Sequence, residues 1–200
     1  MGAVQWRVAM DMTTMAAGRL EPGMNAEGGR RKAELADWVF VALGSNLGDS
    51  TGIIRQAMAR LQDLSDQPLR KSSLWQTAPV DCPPGSPLFV NAVAGLFPRP
   101  GETPESLLAQ LQALEKEFGR RPKQVLNEPR PLDLDLIAFG AETRDTPELV
   151  LPHPRAHSRR FVLQPLSEIA ADLVFPGQNK TVAELLAGLE TGEILVRLPP

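Results

Sequence analysis

Apolar and polar positions fall into periodic segments from Trp38 onward, and each period predicts an element. Trp38-Val39-Phe40-Val41-Ala42-Leu43 is a continuous apolar run that suits a strand buried on both faces. Residues 44–49 carry turn chemistry, and a helix follows with Ile53, Ile54, Ala57, Met58 and Leu61 on one stripe. Residues 71–77 and 88–97 read as two further strands, separated by a proline-dense loop over 78–87. Thr103 and Pro104 open a second helix as N-cap and first helical residue, with Glu105 in its first turn. Leu107, Leu108, Leu111, Leu114 and Phe118 form its core stripe, and Gly119 ends it. After a basic loop over 120–130, residues 130–137 alternate strictly, with leucines facing one way and Asp133 and Asp135 the other. A loop over 151–158 and a helix around 160–166 come next. A last helix is capped by Thr181, with Glu184 completing a capping box.

This order, β-α-β-β-α-β, is the ferredoxin-like signature. It predicts an α+β fold whose antiparallel sheet carries both helices on one face, here with additional C-terminal helices. Residues 1–36 are rich in Met, Ala, Gly and charge and show no sustained period. They read as a disordered N-terminal extension, or as an overlong start with Met24 as one alternative first residue. Residues 37–200 read as a single domain, near the size that one core supports.

On a strand, Asp133 and Asp135 share a face, with Cα atoms roughly 6–7 Å apart. Two carboxylates side by side repel, which favours a raised pKa on one of them or a bound cation. Arg130 and the basic loop before it point to a polyanionic ligand, and Mg²⁺ prefers a couple of carboxylates plus phosphate oxygens to an all-protein cage. The competing reading is an amphipathic edge strand with two solvated aspartates, because short motifs are weak alone.

Charge and composition narrow the setting. A formal net charge of −3 on 200 residues argues against a nucleic-acid-binding surface in bulk, though not against a local basic pocket. Cys82 is the single cysteine, so no intramolecular disulfide framework exists and a reducing compartment is expected. No apolar run approaches the roughly 18 residues that span a bilayer. Arg7 and Asp11 interrupt any signal-peptide core. A cytoplasmic monomer without nucleic-acid or membrane partners is the expectation.

Four ordered blocks resemble the 6-hydroxymethyl-7,8-dihydropterin pyrophosphokinase family. They are Ala42-Leu43-Gly44-Ser45-Asn46-Leu47-Gly48; Thr77-Ala78-Pro79 with Phe89-Val90-Asn91; residues 129–135, Pro-Arg-Pro-Leu-Asp-Leu-Asp; and Pro152-His153-Pro154-Arg155 with residues 159–163. The similarity runs from about Phe40 to Pro176. It implies transfer of a diphosphate from ATP to the hydroxymethyl group of a pterin alcohol in folate biosynthesis, with AMP leaving. Asp133 and Asp135 fall on the positions that hold two Mg²⁺ ions bridging the triphosphate. Such chemistry is mostly positioning plus charge neutralisation, and it requires no separate protein base.

The resemblance also assigns site residues. Phe89 and Phe161 match the two aromatics that stack on the pterin faces, while Asn91, Thr77, Ala78 and Val80 match residues along its hydrogen-bonding edge. Arg130, His153 and Arg159 fall on ATP positions, as do Gln112, Glu115, Arg120 and Leu136. Arg120 and Arg130 join the aspartates as the catalytic set. Lys123 and Arg155 are further phosphate candidates, with Arg121 and Arg160 as spares. By helical spacing alone, Gln112 and Glu115 would be a solvated face. The family commonly carries further arginines and an aromatic in the 120–130 loop, where this chain has Pro122, Leu126 and Asn127, and Glu128 replaces a usual glycine. The rival readings are a non-catalytic ferredoxin-like ligand-binding module and a degenerate pyrophosphokinase that binds pterin without reacting.

Overall fold

The apolar run after Trp38 becomes the central strand β1 (Val39–Ser45). It pairs antiparallel on one side with β4 (Phe89–Leu96) and on the other with β5 (Asp133–Phe139). The computed structural model describes residues 35, 37–80, 82–121 and 128–200. Residues 1–34 and 36, and Pro122, Lys123, Leu126 and Asn127 with their expected roles, lie outside the described residues. Strands β2 (Arg70–Lys71) and β3 (Trp75–Thr77) both pair with β4, and β8 (Leu195–Arg197) pairs with β3. The sheet therefore runs β5-β1-β4-β3-β8, with β2 also on β4, and its described pairings are antiparallel.

Helices α1 (Ser50–Gln62) and α2 (Pro104–Glu117) cover one face. Asp49 caps α1 by accepting the Gly52 N–H at 3.1 Å, and Thr103 caps α2 in a reciprocal pair with Ser106. Their stripes, Ile54, Ala57, Met58 and Leu61 with Leu107, Leu111 and Leu114, pack on Val39, Val41, Leu43, Leu134 and Leu136. Each such leucine or isoleucine contributes about 1.5–3 kcal/mol through burial. Gly119 ends α2 with a φ of +87°, a conformation that favours glycine.

The opposite face is covered too. Helices α3 (Arg160–Ala170) and α4 (Val182–Ala187) bring Val162, Leu163, Leu166 and Val182 against Phe40, Val93, Ile137 and Phe175. Leu35 belongs to this second core and is only 5% exposed, so packing reaches two residues upstream of the expected domain start. The molecule has three layers, helices-sheet-helices, which is why β1 and β4 read as nearly unbroken apolar runs.

Three local features differ from expectation. The strand over 71–77 is split into β2 and β3, because Ser72 turns its hydroxyl back to accept the Val93 N–H at 2.9 Å. Residues 144–150, for which the sequence predicts no element, and Leu151, expected in a loop, form a small hairpin of β6 (Arg144–Asp145) and β7 (Val150–Leu151), and β8 is not predicted either. These strands are two or three residues long, too short to show a period. The β1–β5 register slips by one residue, since Val41 faces Leu136 while Phe40 faces Ala138. Ile137 is the extra residue of this bulge, and Ile137 and Ala138 both join the second core. Asp133 and Asp135 thus lie on the α3 side at one end of β5, and apolar core takes over at its other end.

Candidate active site

Four strands and one helix start meet at the polar end of the α3 face. Across the sheet, Asp133 lies opposite Gly44, Gly44 opposite Asn91, and Thr77 opposite Phe89. A cleft of about 690 Å³ opens above them. Its floor is Ala42 and Gly44; its walls include Thr77, Ala78, Val80 and Cys82 on one side, and Phe89 and Asn91 beside them. Arg130, Asp133, Asp135, Arg159 and Phe161 complete it.

The floor is shallow because its residues are small. A Cβ on Gly44 would stand 3.4 Å from Asn91 Oδ1 and 3.8 Å from the Phe89 ring, so glycine leaves that layer free. Asn91 donates its amide to Thr77 Oγ1 at 2.8 Å, and both residues are buried, which fixes the amide edge. Each aromatic carries a guanidinium: Arg130 stands 5.5 Å from the Phe89 ring centre and Arg159 stands 5.3 Å from that of Phe161.

Asp133 is held by two cations. Arg120 donates to its Oδ1 at 2.6 Å, and Arg130 donates to its Oδ2. Arg120 also donates to Glu115, whose Oε1 accepts the Leu134 N–H at 2.7 Å. Burial pushes the Glu115 carboxyl above its usual range, opposed by the Leu134 N–H and by Arg120. Asn46 clamps Arg130 through the backbone, accepting its N–H at 2.9 Å on the side chain. Arg130 Nε is buried with no hydrogen-bond partner among the described residues, a donor left for an anion.

Asp135 lies deeper. Burial raises its pKa, Asp133 pushes the same way, and His153, Arg159 and Arg130 oppose them. His153 is pushed below its usual value by burial, against the pull of Asp135. Its Nδ1 accepts the Arg155 N–H at 3.2 Å and its own N–H donates to the bulge carbonyl of Ile137 at 2.9 Å. Two half-buried carboxylates side by side on one face of a strand fit a divalent cation. Among the described residues no cluster of three or more His, Cys, Asp or Glu is placed to hold a metal. The donor set is therefore two carboxylates, which suits Mg²⁺ completed by phosphate oxygens and water.

Most of the expected site residues come together, but not all. Thr77, Ala78, Val80, Phe89, Asn91, Arg130, Asp133, Asp135, Arg159 and Phe161 share the cleft. Arg120 reaches it through Asp133, and His153 through the field at Asp135. Gln112 is exposed on α2, whereas Glu115, expected from spacing to be solvated, is 7% exposed. Leu136 is part of the first core beneath α1 and α2, so its side chain does not line the cleft. Arg121 and Arg155 are exposed and Arg160 is half-buried in the first turn of α3. Sequence reasoning missed Ala42 and Gly44 as floor, Asn46 as clamp and Cys82 as wall.

A model of the 7,8-dihydro-6-hydroxymethylpterin-pyrophosphokinase family matches residues 40–171. The 2-amino-4-hydroxy-6-hydroxymethyldihydropteridine pyrophosphokinase of Pseudomonas aeruginosa is 40% identical over 162 residues, covering 80% of this chain and 96% of that protein. The Haemophilus influenzae protein of the same name is 37% identical over 148 residues, 74% of this chain and 89% of that one. The folic acid synthesis protein fol1 of Pneumocystis carinii is 35% identical over 161 residues, and this chain spans 21% of its length. A crystal structure of a Plasmodium falciparum HPPK-DHPS triple mutant with pteroate superposes with a TM-score of 0.58 at 12% identity, over 75% of this chain and 42% of that one. That likeness concerns the fold.

The family match and these relatives make the protein a transferase of the phosphoryl-transfer class. The chain belongs to the 7,8-dihydro-6-hydroxymethylpterin-pyrophosphokinase family, the diphosphokinases of folate biosynthesis. A non-catalytic binding module is not favoured.

Proposed function

We propose that this protein moves a diphosphate from ATP to the hydroxymethyl oxygen of 6-hydroxymethyl-7,8-dihydropterin, releasing AMP, with two Mg²⁺ ions held at Asp133 and Asp135. The observation that carries this reading is that both aspartates line one cleft with Phe89, Asn91 and Phe161. Phe89 and Phe161 offer faces for a flat ring, and the fixed Asn91 amide with Thr77, Ala78 and Val80 offers an edge to hydrogen-bond it. Mg²⁺ bound there would neutralise triphosphate charge and lower the pKa of the attacking alcohol.

The arginines supply the remaining positive charge. Arg120 and Arg130 both pair with Asp133, which keeps them desolvated and aimed at the cleft. A cation on Asp133 would release both for phosphate oxygens, and the buried Arg130 Nε would supply a further donor. His153, Arg159 and Gln112 take the remaining nucleotide contacts, with Leu136 limited to its backbone. Glu115 acts from behind β5 and holds the strand.

The same reading takes the strand order and the pair α1 and α2 on one face as support for a ferredoxin-like fold. It takes the chain as a cytoplasmic monomer with one domain from about residue 37 and a dispensable extension before it. The direct test is incubation with ATP, Mg²⁺ and the pterin alcohol. AMP and the pterin diphosphate are expected; ADP would indicate a different phosphotransfer, and no turnover would contradict the proposal.

A further inference from the structure

The C-terminal tail touches both walls of the cleft, although it lies beyond the span, residues 40–171, that the family model matches. Strand β8 pairs with β3 in a register that sets Leu195 opposite Thr77 and Arg197 opposite Trp75. Arg197 donates to Ser73 Oγ at 2.9 and 2.6 Å, and the Leu198 N–H reaches the Leu74 carbonyl at 2.9 Å. On the other wall, Glu193 Oε2 accepts the backbone N–H of Phe161 at 3.2 Å.

That contact answers a need of α3. A helix start leaves unsatisfied N–H groups, usually met by a Ser, Thr, Asp or Asn at the N-cap. The N-cap here is Arg159, whose side chain makes no capping hydrogen bond. The Val162 and Leu163 N–H groups fall back on the Arg159 carbonyl, at 3.1 and 2.9 Å. Phe161 receives its acceptor from the tail. A carboxylate at a helix N-terminus is also favoured by the helix dipole. Glu168, in the last turn of the same helix, ties α3 to β3 by accepting the Ser73 N–H at 2.6 Å and the Trp75 Nε1–H at 3.1 Å. The helix start is thus fastened to the strand that carries Thr77 by the tail, through Glu193 at one end and β8 at the other.

We propose that Glu193 is a positioning residue of the pterin slot: it holds the first turn of α3, and with it the Phe161 ring, at a fixed distance from the Thr77 wall. This rests on the reading of Phe161 as a pterin-stacking residue. A ring that is set before substrate arrives loses less freedom on binding, so the effect belongs in substrate affinity and not in the chemical step.

The test is steady-state kinetics on Glu193→Ala, Glu193→Gln and Phe161→Ala, with thermal melts of each. Glu193→Ala should raise the KM for the pterin about three- to tenfold, as expected for loss of a helix cap, with kcat within about twofold. Glu193→Gln keeps an acceptor oxygen and should recover most of that loss. Phe161→Ala should raise the pterin KM at least as far. If Phe161→Ala raises it and Glu193→Ala does not, the inference about Glu193 fails while the slot stands. If Phe161→Ala leaves it unchanged, the slot reading fails and takes the inference with it. A fall in kcat and in both substrates' affinities for Glu193→Ala and Glu193→Gln alike, with a lowered Tm, would mean a merely structural role and would overturn the proposal.

Discussion

Glu115, on α2, accepts the backbone N–H of Leu134, the residue between the two site aspartates, at 2.7 Å. Strand β5 is an outer strand of the sheet, and this carboxylate takes a donor that has no neighbouring strand to meet it. The same carboxylate receives Arg120, which also binds Asp133. One buried acid therefore fixes the strand, an arginine and an aspartate together.

Glu115→Ala should cost about 1–3 kcal/mol of stability, because it orphans a buried N–H. Glu115→Gln keeps an acceptor and should cost less. The pH dependence has a definite sign. Burial raises the folded-state pKa above the ordinary value of 4.5, so between those two values the folded protein binds more protons than the unfolded chain. This group's contribution is full below 4.5 and is lost as pH rises through the raised value. Urea midpoints should show wild type losing stability relative to Glu115→Gln as pH rises across that window; parallel curves would contradict the assignment.

Gly44 supplies a second test. It has no positive φ and lies within β1, so a β-branched residue suits its backbone. Its side chain would instead enter the cleft, where a Cβ already meets Asn91 Oδ1 at 3.4 Å and Asp133 Cβ at 3.9 Å. Gly44→Val should keep the fold, measured by Tm, and raise the pterin KM by tenfold or more, a loss of about 1.4 kcal/mol. An unchanged KM would mean the ring does not lie over this floor.

Much of this was legible in the sequence. Thr103-Pro104 marked the start of α2, and strict alternation placed Leu134 and Leu136 on one face of β5 and the two aspartates on the other. The features that escaped depend on contacts distant in sequence. β8 is a three-residue strand whose pairing with β3 spans more than a hundred residues. Ala42 and Gly44 work by what their side chains lack, which no period records. Glu115 carried a signal, one helical turn after Leu111 on the edge of the apolar stripe, yet a carboxylate there reads as solvated until its partners are known.

The chain start offers a third prediction. Leu35 is 5% exposed in the second core with Trp38 and Phe40, whereas no motif or period marks the residues before it. Deleting residues 1–33 should leave Tm and turnover nearly unchanged, while Leu35→Ala should cost about 2 kcal/mol, the low end for a buried leucine. A destabilised deletion variant would show that earlier residues dock on the fold.

Asp133 and Asp135, in the proposed reaction, hold the cation that makes diphosphate transfer possible. Asp135→Asn keeps shape and polarity and removes a charge that burial and Asp133 both disfavour, so its Tm without ligand should not fall. The decisive measurement is the rate of AMP formation by Asp135→Asn with saturating ATP, Mg²⁺ and 6-hydroxymethyl-7,8-dihydropterin. A loss of about a hundredfold or more is predicted, because metal stabilisation of the transferring group is worth several kcal/mol. Near-normal turnover by a folded Asp135→Asn protein would contradict the account.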